Sequence, residues 1–131
     1  MGFRVIHAAD LPGEERAAAV EGQRPRGAVD VTTAAALSQS RARIWKLQPH
    51  TRGRRHREPV QEEVFVVLAG TLTMLLGDPP ERVDLAPQSV ASVEPGTSLQ
   101  LRNETDEEVV LFAYGAPPVL GQAELLEDVE I

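Results

Sequence analysis

The sequence contains no cysteine among its 131 residues. Disulfide bonds, thiolate zinc sites and cysteine nucleophiles are therefore all excluded. Any metal ion must bind through nitrogen and oxygen atoms, that is, through histidine and carboxylate side chains. Aromatic residues are also few, at 4%, and a single aromatic such as Trp45 on a strand is more often a packing residue than a recognition residue.

The sequence also lacks long hydrophobic runs. No stretch of about eighteen apolar residues is present, and the N-terminal residues lack the apolar stretch of a signal peptide. We therefore expect a soluble cytoplasmic protein without a membrane partner. There is likewise no glycine-rich phosphate loop and no G-x-S-x-G motif, which argues against nucleotide binding and acyl transfer.

Positive charge is in the minority, because the formal net charge is -7 at pH 7. A net negative charge repels nucleic acids. A local cluster of four arginines lies beside three glutamates, and this mixture is typical of a charge-balanced strand and loop. We expect no nucleic-acid partner. The clustered residues are Arg52, Arg54, Arg55, Arg57, Glu58, Glu62 and Glu63.

Length and composition predict one all-β domain. A chain of 131 residues is long enough for one hydrophobic core and too short for two ordinary ones. A hydrophobic content of 42%, with ten glycines and ten prolines in short clusters, favours many short strands over a few long helices. Turn signals recur about every ten residues without βαβ alternation, which predicts an antiparallel sandwich or barrel.

The hydrophobic pattern also predicts individual elements. Alternation and short apolar runs predict strands, whereas an acidic start followed by a glycine predicts one or two helical turns. Two of the strands are predicted to form a β-hairpin that turns at Ala69 and Gly70. The predicted strands include residues 3–6, 27–33, 41–47, 64–68, 71–76 and 109–114, with helical turns at 14–21 and a short helix or loose segment at 121–131.

Side chains able to do chemistry are concentrated just before the predicted hairpin. In an extended segment, Arg54, His56 and Glu58 point to the same side because of the two-residue period of a strand. Imidazole and carboxylate groups are therefore expected at the mouth of the β core, whereas His50 lies before the Gly53 loop and is expected at the surface. The imidazole and carboxylate residues in this segment are His50, His56, Glu58, Glu62 and Glu63.

This arrangement resembles the first motif of the cupin family. In that motif a histidine-X-histidine pair is followed by a glutamate and then by a glycine. His56 occupies the first histidine position, Glu63 the glutamate position and Gly70 the glycine position. Glu58 stands where the motif has its second histidine.

A second cupin motif has a weaker counterpart further along the chain. Gly96 and Asn103 match its glycine and asparagine, and Leu99 stands where it has a histidine. The resemblance implies an all-β, antiparallel double-stranded β-helix, or jelly-roll barrel, with a ligand pocket inside. It implies N-terminal strands and a short helix packed on the barrel (residues 1–40), the barrel itself (41–118) and an acidic C-terminal tail (119–131).

The resemblance further implies a metal site, because metal-binding cupins hold one divalent ion inside the barrel. Carried over by position, the ligands would be His56, Glu58 and Glu63, since Leu99 cannot coordinate a metal. The ion would be Mn, Fe, Ni or Zn, and a single imidazole shifts the preference toward hard ions such as Mn. The alternative is a metal-free cavity in which Glu58 and Glu63 pair with Arg54 or with a protonated His56.

Three functions remain open at this point. The first is binding of a small polar or anionic molecule in the barrel cavity, where Arg54 could clamp a carboxylate or phosphate in two-point fashion. The second is a metal-dependent dioxygenase or isomerase with the reduced ligand set. The third is a barrel that only mediates assembly. The residues expected to line the cavity are Arg54, His56, Glu58, Glu63, Phe65 and Leu99.

Self-association is also expected from the strand pattern. Sheet edges and apolar strand faces, such as those carrying Val110 and Phe112, must be covered to avoid non-specific association. We therefore expect a homodimer.

Overall fold

Nearly all of the regular structure is β-strand. The computed structural model describes residues 2–119 and 121–131. Within these ranges the strands are β1 (Glu14–Arg16), β2 (Arg26–Asp30), β3 (Arg41–Leu47), β4 (Thr51–Arg52), β5 (His56–Arg57), β6 (Glu62–Ala69), β7 (Leu72–Leu76), β8 (Glu81–Leu85), β9 (Val90–Val93), β10 (Leu99–Asn103), β11 (Val109–Ala116) and β12 (Glu124–Leu125).

Helical structure in the described chain is confined to two short segments. The helix α1 (Val31–Ala34) begins at Asp30, whose Oδ1 accepts a hydrogen bond from the Thr33 backbone N–H at 3.4 Å. A 3₁₀ turn covers Ala8–Asp10. Neither segment has the length and apolar content that a helix needs to cross a membrane.

The strands form two sheets. The first sheet has the strand order β1-β2-β3-β11-β6-β9, and the second has the order β12-β5-β10-β7-β8, with β4 also paired to β10. All of these neighbouring strands are antiparallel. The prediction of an all-β antiparallel fold is confirmed.

The two sheets enclose one hydrophobic core. Phe65 and Leu111 from the first sheet lie in the same cluster of buried side chains as Met74 and Leu101 from the second. Successive side chains point to opposite faces of a strand, so each sheet contributes every second residue to this core. Burying one such side chain stabilises the fold by about 1.5–3 kcal/mol, which makes the cluster the main source of stability.

The predicted hairpin is wrong, because β6 and β7 belong to different sheets. β6 pairs with β11 and β9, whereas β7 pairs with β10 and β8. The chain crosses between the sheets at Gly70, whose φ is +78°. A Cβ atom at this position would lie 2.7 Å from the carbonyl oxygen of Glu108, so the crossing needs a glycine.

The predictions for the N-terminal region need three corrections. Residues 3–6 form no strand, and residues 14–21 contain strand β1 rather than helical turns. Two turns of isolated helix are marginal, whereas β1 gains backbone hydrogen bonds along β2. The strand predicted at 27–33 ends at Asp30, because that side chain caps α1. The strand predicted at 41–47 is confirmed as β3.

The C-terminal tail, residues 121–131, lies along the second sheet and is neither a helix nor a loose segment. Strand β12 pairs with β5, and the Leu126 N–H donates to the Arg55 carbonyl oxygen at 2.9 Å. Arg52 Nη1 donates to Asp128 Oδ2 at 2.6 Å. Basic side chains of the sheet therefore hold the acidic tail in place.

Candidate functional site

A partly open cavity of about 260 Å³ lies against the inner face of β3. The expected cavity residues that line it are Arg54, His56, Glu58, Glu63 and Phe65. Leu99 is the exception, because it is 1% exposed within the hydrophobic core and lies outside the described set of lining residues. It pairs directly with His56 across β10 and β5, so its side chain lies beside that of His56 on the same face of the sheet.

The ring of His56 has a fixed orientation. Its Nδ1 lies 2.9 Å from the carbonyl oxygen of Arg54, and since a carbonyl can only accept, Nδ1–H is the donor. Its Nε2 faces two carboxyl groups, 3.9 Å from Glu58 Oε2 and 4.0 Å from Glu63 Oε1. In the neutral ring this nitrogen carries a lone pair, and in the protonated ring it is a second donor.

Glu63 is a largely buried acid with one unsatisfied carboxyl oxygen. It lies on the inner face of β6 with a side chain that is 12% exposed. Its Oε1 is buried and makes no hydrogen bond within the described chain. Burial, and secondarily the charge of Glu58, raises the pKa of Glu63 to about 7, against a smaller opposing effect of Arg41.

Glu58 is paired with Arg41 and not with Arg54. Arg41 Nη2 lies 3.4 Å from Glu58 Oε2. The same guanidinium donates from Nε and Nη2 to Gln61 Oε1, at 3.1 and 3.0 Å. Gln61, itself 2% exposed, donates from Nε2 to the Pro117 carbonyl oxygen at 2.9 Å. Gln61 therefore holds Arg41 against the buried carboxylate.

Arg54 is exposed at the cavity and has no carboxylate within 4.0 Å among residues 2–119 and 121–131. The predicted ion pair of Arg54 with the two glutamates is therefore wrong. The sequence placed Arg54 close to His56, but Arg41 approaches from β3, which lies in the opposite sheet to β5. The alternation of side chains along β3 could have identified Arg41 as a cavity residue. It places Arg41, Arg43 and Trp45 on the same face of the strand, the one that lines the cavity.

Two further arginines of the cavity wall were missed by sequence reasoning. Arg26 and Arg43 both line the cavity, on the paired strands β2 and β3. His50, by contrast, lies outside the cavity lining, where its exposed Nε2 is 2.6 Å from Asp106 Oδ1. The cavity thus combines several guanidinium groups with a cluster of His56, Glu58 and Glu63, called the acidic cluster below.

The acidic cluster has the donor chemistry of a divalent cation site. His56, Glu58 and Glu63 each offer one ligand atom, and these atoms lie within 4.8 Å of one another. The unpartnered oxygen of Glu63 and the lone pair of a neutral His56 both suit a cation. The guanidinium of Arg41, paired with Glu58, opposes the charge of such an ion.

Comparison with known protein families identifies the family of this β-barrel. A sequence profile described as the cupin domain matches residues 43–114, which is more than half of the chain. The chain belongs to the cupin family. The expected double-stranded β-helix of the cupins is thereby confirmed. Cupins often bind metals, and the matched range contains the cluster of His56, Glu58 and Glu63.

Solved structures with the same fold include proteins of different activities. A sugar phosphate isomerase from Silicibacter pomeroyi is 21% identical, with a TM-score of 0.72 over 86% of this chain and 75% of the other. A predicted oxalate decarboxylase from Thermotoga maritima is 15% identical, with a TM-score of 0.74 over 86% and 98%. The polyketide cyclase RemF from Streptomyces resistomycificus is 14% identical, with a TM-score of 0.76 over 97% and 87%. No curated protein sequence matches. At these identities the similarity shows the cupin fold alone.

The raised pKa of Glu63 makes a prediction for stability in chelator-treated protein. Because its folded-state pKa of about 7 lies above the ordinary 4.5, the folded protein holds this proton more tightly than the unfolded chain does. The resulting stabilisation is complete below about pH 4.5 and is lost as the pH rises toward about 7, a change of roughly 3 kcal/mol. Urea unfolding between about pH 5 and pH 8 measures it.

Glu63→Gln should remove this component and should be more stable than the wild type at about pH 8, because a neutral amide has no charge to desolvate. Glu62→Gln, a change at the exposed neighbouring residue, is the matched control and should leave the profile unchanged. Equal pH dependence in the wild type and the Glu63 variant would contradict the burial argument.

Proposed function

We propose that this cupin binds a small anionic molecule in its barrel cavity. One observation carries the proposal. Four guanidinium groups line the cavity, and within the part of the chain that the structure describes only Arg41 has a carboxylate within 4.0 Å. Uncompensated positive charge in a partly enclosed site favours binding of anions. The four arginines are Arg26, Arg41, Arg43 and Arg54.

The cavity wall also supports binding of an organic molecule. Leu47, Phe65 and Leu101 contribute apolar surface between the charged groups. A volume of about 260 Å³ is below the usual range for drug-sized ligands, so the fitting ligand is small. Apolar surface with a few polar groups that fix orientation is the usual composition of a ligand pocket.

This proposal predicts selective stabilisation by anions. In a thermal-shift screen of small carboxylates and sugar phosphates, at least one compound should raise the melting temperature, since a ligand at 100 times its dissociation constant adds about 2.7 kcal/mol. Arg54→Gln should weaken that binding about tenfold, because it removes a charged donor from the cavity.

The matched control is Arg82→Gln, which removes an exposed arginine of β8 outside the cavity lining. It should bind the hit as the wild type does. Uncharged sugars of similar size form the second control. If no anion stabilises the protein, or if the uncharged compounds stabilise it equally well, the anion-binding proposal is wrong.

A second candidate function, a metal-dependent enzyme, is favoured by the unpartnered oxygen of Glu63. The residues that would hold the ion are His56, Glu58 and Glu63. A bound divalent ion would supply Lewis-acid polarisation of a substrate oxygen or a bound water of lowered pKa. In the protein itself, Arg41 and Gln61 keep Glu58 in place, and Glu63 Oε1 can hold or release a proton near neutral pH.

The metal candidate predicts binding of Mn²⁺ that depends on one histidine. Titration calorimetry of chelator-treated protein should detect one Mn²⁺ per chain, and His56→Ala should weaken binding at least about tenfold, because it removes the only nitrogen donor of the cluster. His50→Ala, which removes an imidazole outside the cavity lining, should change nothing. Absence of binding, or equal loss in both variants, would exclude this site.

We also propose that two copies of the chain associate through the outer face of the first sheet. Apolar side chains of four neighbouring strands form one cross-strand row there: Ile44 pairs with Phe112, Phe112 with Val66 and Val66 with Val90. Val90 is 62% exposed and lies on β9, the last strand in the order of this sheet. An isologous dimer would cover this row with the same row of the second copy.

The dimer proposal predicts sensitivity to charge on this row. Val90→Asp should shift the protein from dimer to monomer in sedimentation experiments, because two like charges would meet at the interface. The exposed position of Val90 keeps the effect on folding small. Val60→Asp, at an apolar residue exposed elsewhere, is the control. A monomeric wild-type protein would contradict the proposal.

A further inference from the structure

One oxygen atom of Glu58 faces both an arginine and the imidazole of the acidic cluster. Glu58 Oε2 lies 3.4 Å from Arg41 Nη2 and 3.9 Å from His56 Nε2. The Glu58 side chain is only 6% exposed, and its backbone carbonyl oxygen accepts a hydrogen bond from the Gly96 N–H at 2.7 Å. Arg41 therefore contacts the carboxylate oxygen that is directed toward the imidazole.

The inner face of the first sheet lacks a side chain beside Arg41. Gly115 of β11 pairs directly with Arg41 of β3 on one side and with Glu63 of β6 on the other. Directly paired residues of neighbouring strands share a face, so the glycine leaves space between these two side chains. A Cβ atom at Gly115 would overlap the side-chain amide of Gln61. That amide therefore fills the space that the glycine leaves.

Gln61 fixes the guanidinium of Arg41 from this position. Its Oε1 accepts hydrogen bonds from Arg41 Nε and Nη2 at 3.1 and 3.0 Å. Its Nε2 donates to the Pro117 carbonyl oxygen at 2.9 Å, so both ends of the amide are hydrogen-bonded. Gln61 is 2% exposed and has little room to move. The position of Arg41 beside Glu58 therefore does not depend on a ligand.

The neighbouring arginines of the cavity wall contact an aromatic ring and not the acidic cluster. The Cζ atom of Arg43 lies 5.0 Å from the centroid of the Trp45 ring, and that of Arg26 lies 5.1 Å from it. Both distances are within the roughly 6 Å range of cation–π interactions. Neither arginine has a carboxylate within 4.0 Å among residues 2–119 and 121–131. Of the two arginines of β3, Arg41 is thus the one whose charge acts directly on the acidic cluster.

We propose that Arg41 is an internal cation of the acidic cluster, which competes with a divalent metal ion for Glu58 and which Gln61 and Gly115 hold in place. A guanidinium and a metal ion both bind the charged form of a carboxylate, and their like charges repel each other. Each therefore weakens the binding of the other. This inference rests on the second candidate function, the metal site, because it concerns the same three residues. Arg41 is in this sense the residue that sets the metal affinity of the cluster.

Removal of the competing charge should strengthen metal binding. Titration calorimetry with Mn²⁺ at fixed pH and ionic strength should give a dissociation constant at least about tenfold lower for chelator-treated Arg41→Gln than for the wild type. Without Mn²⁺ the variant should melt at a lower temperature than the wild type, because Glu58 loses its partner. At equal Mn²⁺ concentration the ion should raise the melting temperature of Arg41→Gln by more than it raises that of the wild type.

Three further variants separate the charge of Arg41 from its support. Arg41→Lys keeps the positive charge, so its Mn²⁺ dissociation constant should stay within about threefold of the wild-type value. Gln61→Leu removes two hydrogen bonds to Arg41, and Gly115→Ala displaces the Gln61 amide. Each of these two changes should lower the Mn²⁺ dissociation constant, by a smaller factor than Arg41→Gln does. A packing role alone would lower the melting temperature and leave the metal affinity unchanged.

Arg43→Gln is the matched control for general charge effects. It removes the same charge from the same face of β3, at a residue without a carboxylate within 4.0 Å in the described ranges. It should change the Mn²⁺ dissociation constant by less than about threefold. An equal gain of affinity in Arg43→Gln and Arg41→Gln would overturn the inference, because the effect would then come from the net charge of the cavity.

The outcomes separate this inference from the metal site on which it rests. If the wild type and Arg41→Gln bind Mn²⁺ equally well, the competition is wrong and the metal site stands. If only Arg41→Gln binds, the competition stands and the wild-type protein has no metal site. If neither binds, both are wrong. Should Arg41→Gln fail to fold, wild-type Mn²⁺ affinity in both Gln61→Leu and Gly115→Ala would overturn the inference.

Discussion

The arrangement of the site depends on two carboxyl groups that are buried next to each other. A buried charge costs several kcal/mol unless a partner compensates it. Glu58 has such a partner in Arg41, which Gln61 holds in position. The Oε1 atom of Glu63 has no hydrogen-bond partner within the described chain, and burial raises the pKa of Glu63 to about 7. An ion-paired carboxyl group and a carboxyl group of raised pKa therefore face the same imidazole, that of His56, and this asymmetry gives the cluster its capacity to take a proton or a cation.

Strand β3 connects the acidic cluster with the arginines that line the cavity. Its inward positions carry Arg41, Arg43 and Trp45 before Leu47 returns to the hydrophobic core. Within the first sheet, Arg26 of β2 and Glu63 of β6 add to the polar side chains that β3 contributes to the cavity. Arg41 of this strand neutralises the charge of Glu58. Arg43 of the same strand has no carboxylate within 4.0 Å in the part of the chain that the structure describes. A ligand that reached both regions would meet a proton-holding acid at one end and fixed cations at the other.

The family and the motif residues could be predicted because they depend on local spacing. His56, Glu63 and Gly70 lie within one short stretch. The two-residue period of an extended chain relates His56 to Glu58, whereas Glu63 reaches His56 because β5 and β6 lie in facing sheets. The sheet change at Gly70 could not be predicted. A tight turn after an apolar run has the same sequence signature whether the next strand joins the same sheet or the facing one, so only the strand pairing of the folded chain reveals the change of sheet.

The sequence by itself determined the class of fold, the apolar periods that build the core, and the group of imidazole and carboxylate side chains near its mouth. These features follow from alternation and composition, which act between residues close along the chain. Only the tertiary structure decided that Arg41 rather than Arg54 neutralises Glu58, that Leu99 belongs to the core, and that two arginines share Trp45. The Arg41–Glu58 and Arg26–Trp45 contacts join different segments of the chain, and sheet order and burial select their partners. No local pattern encodes these two factors.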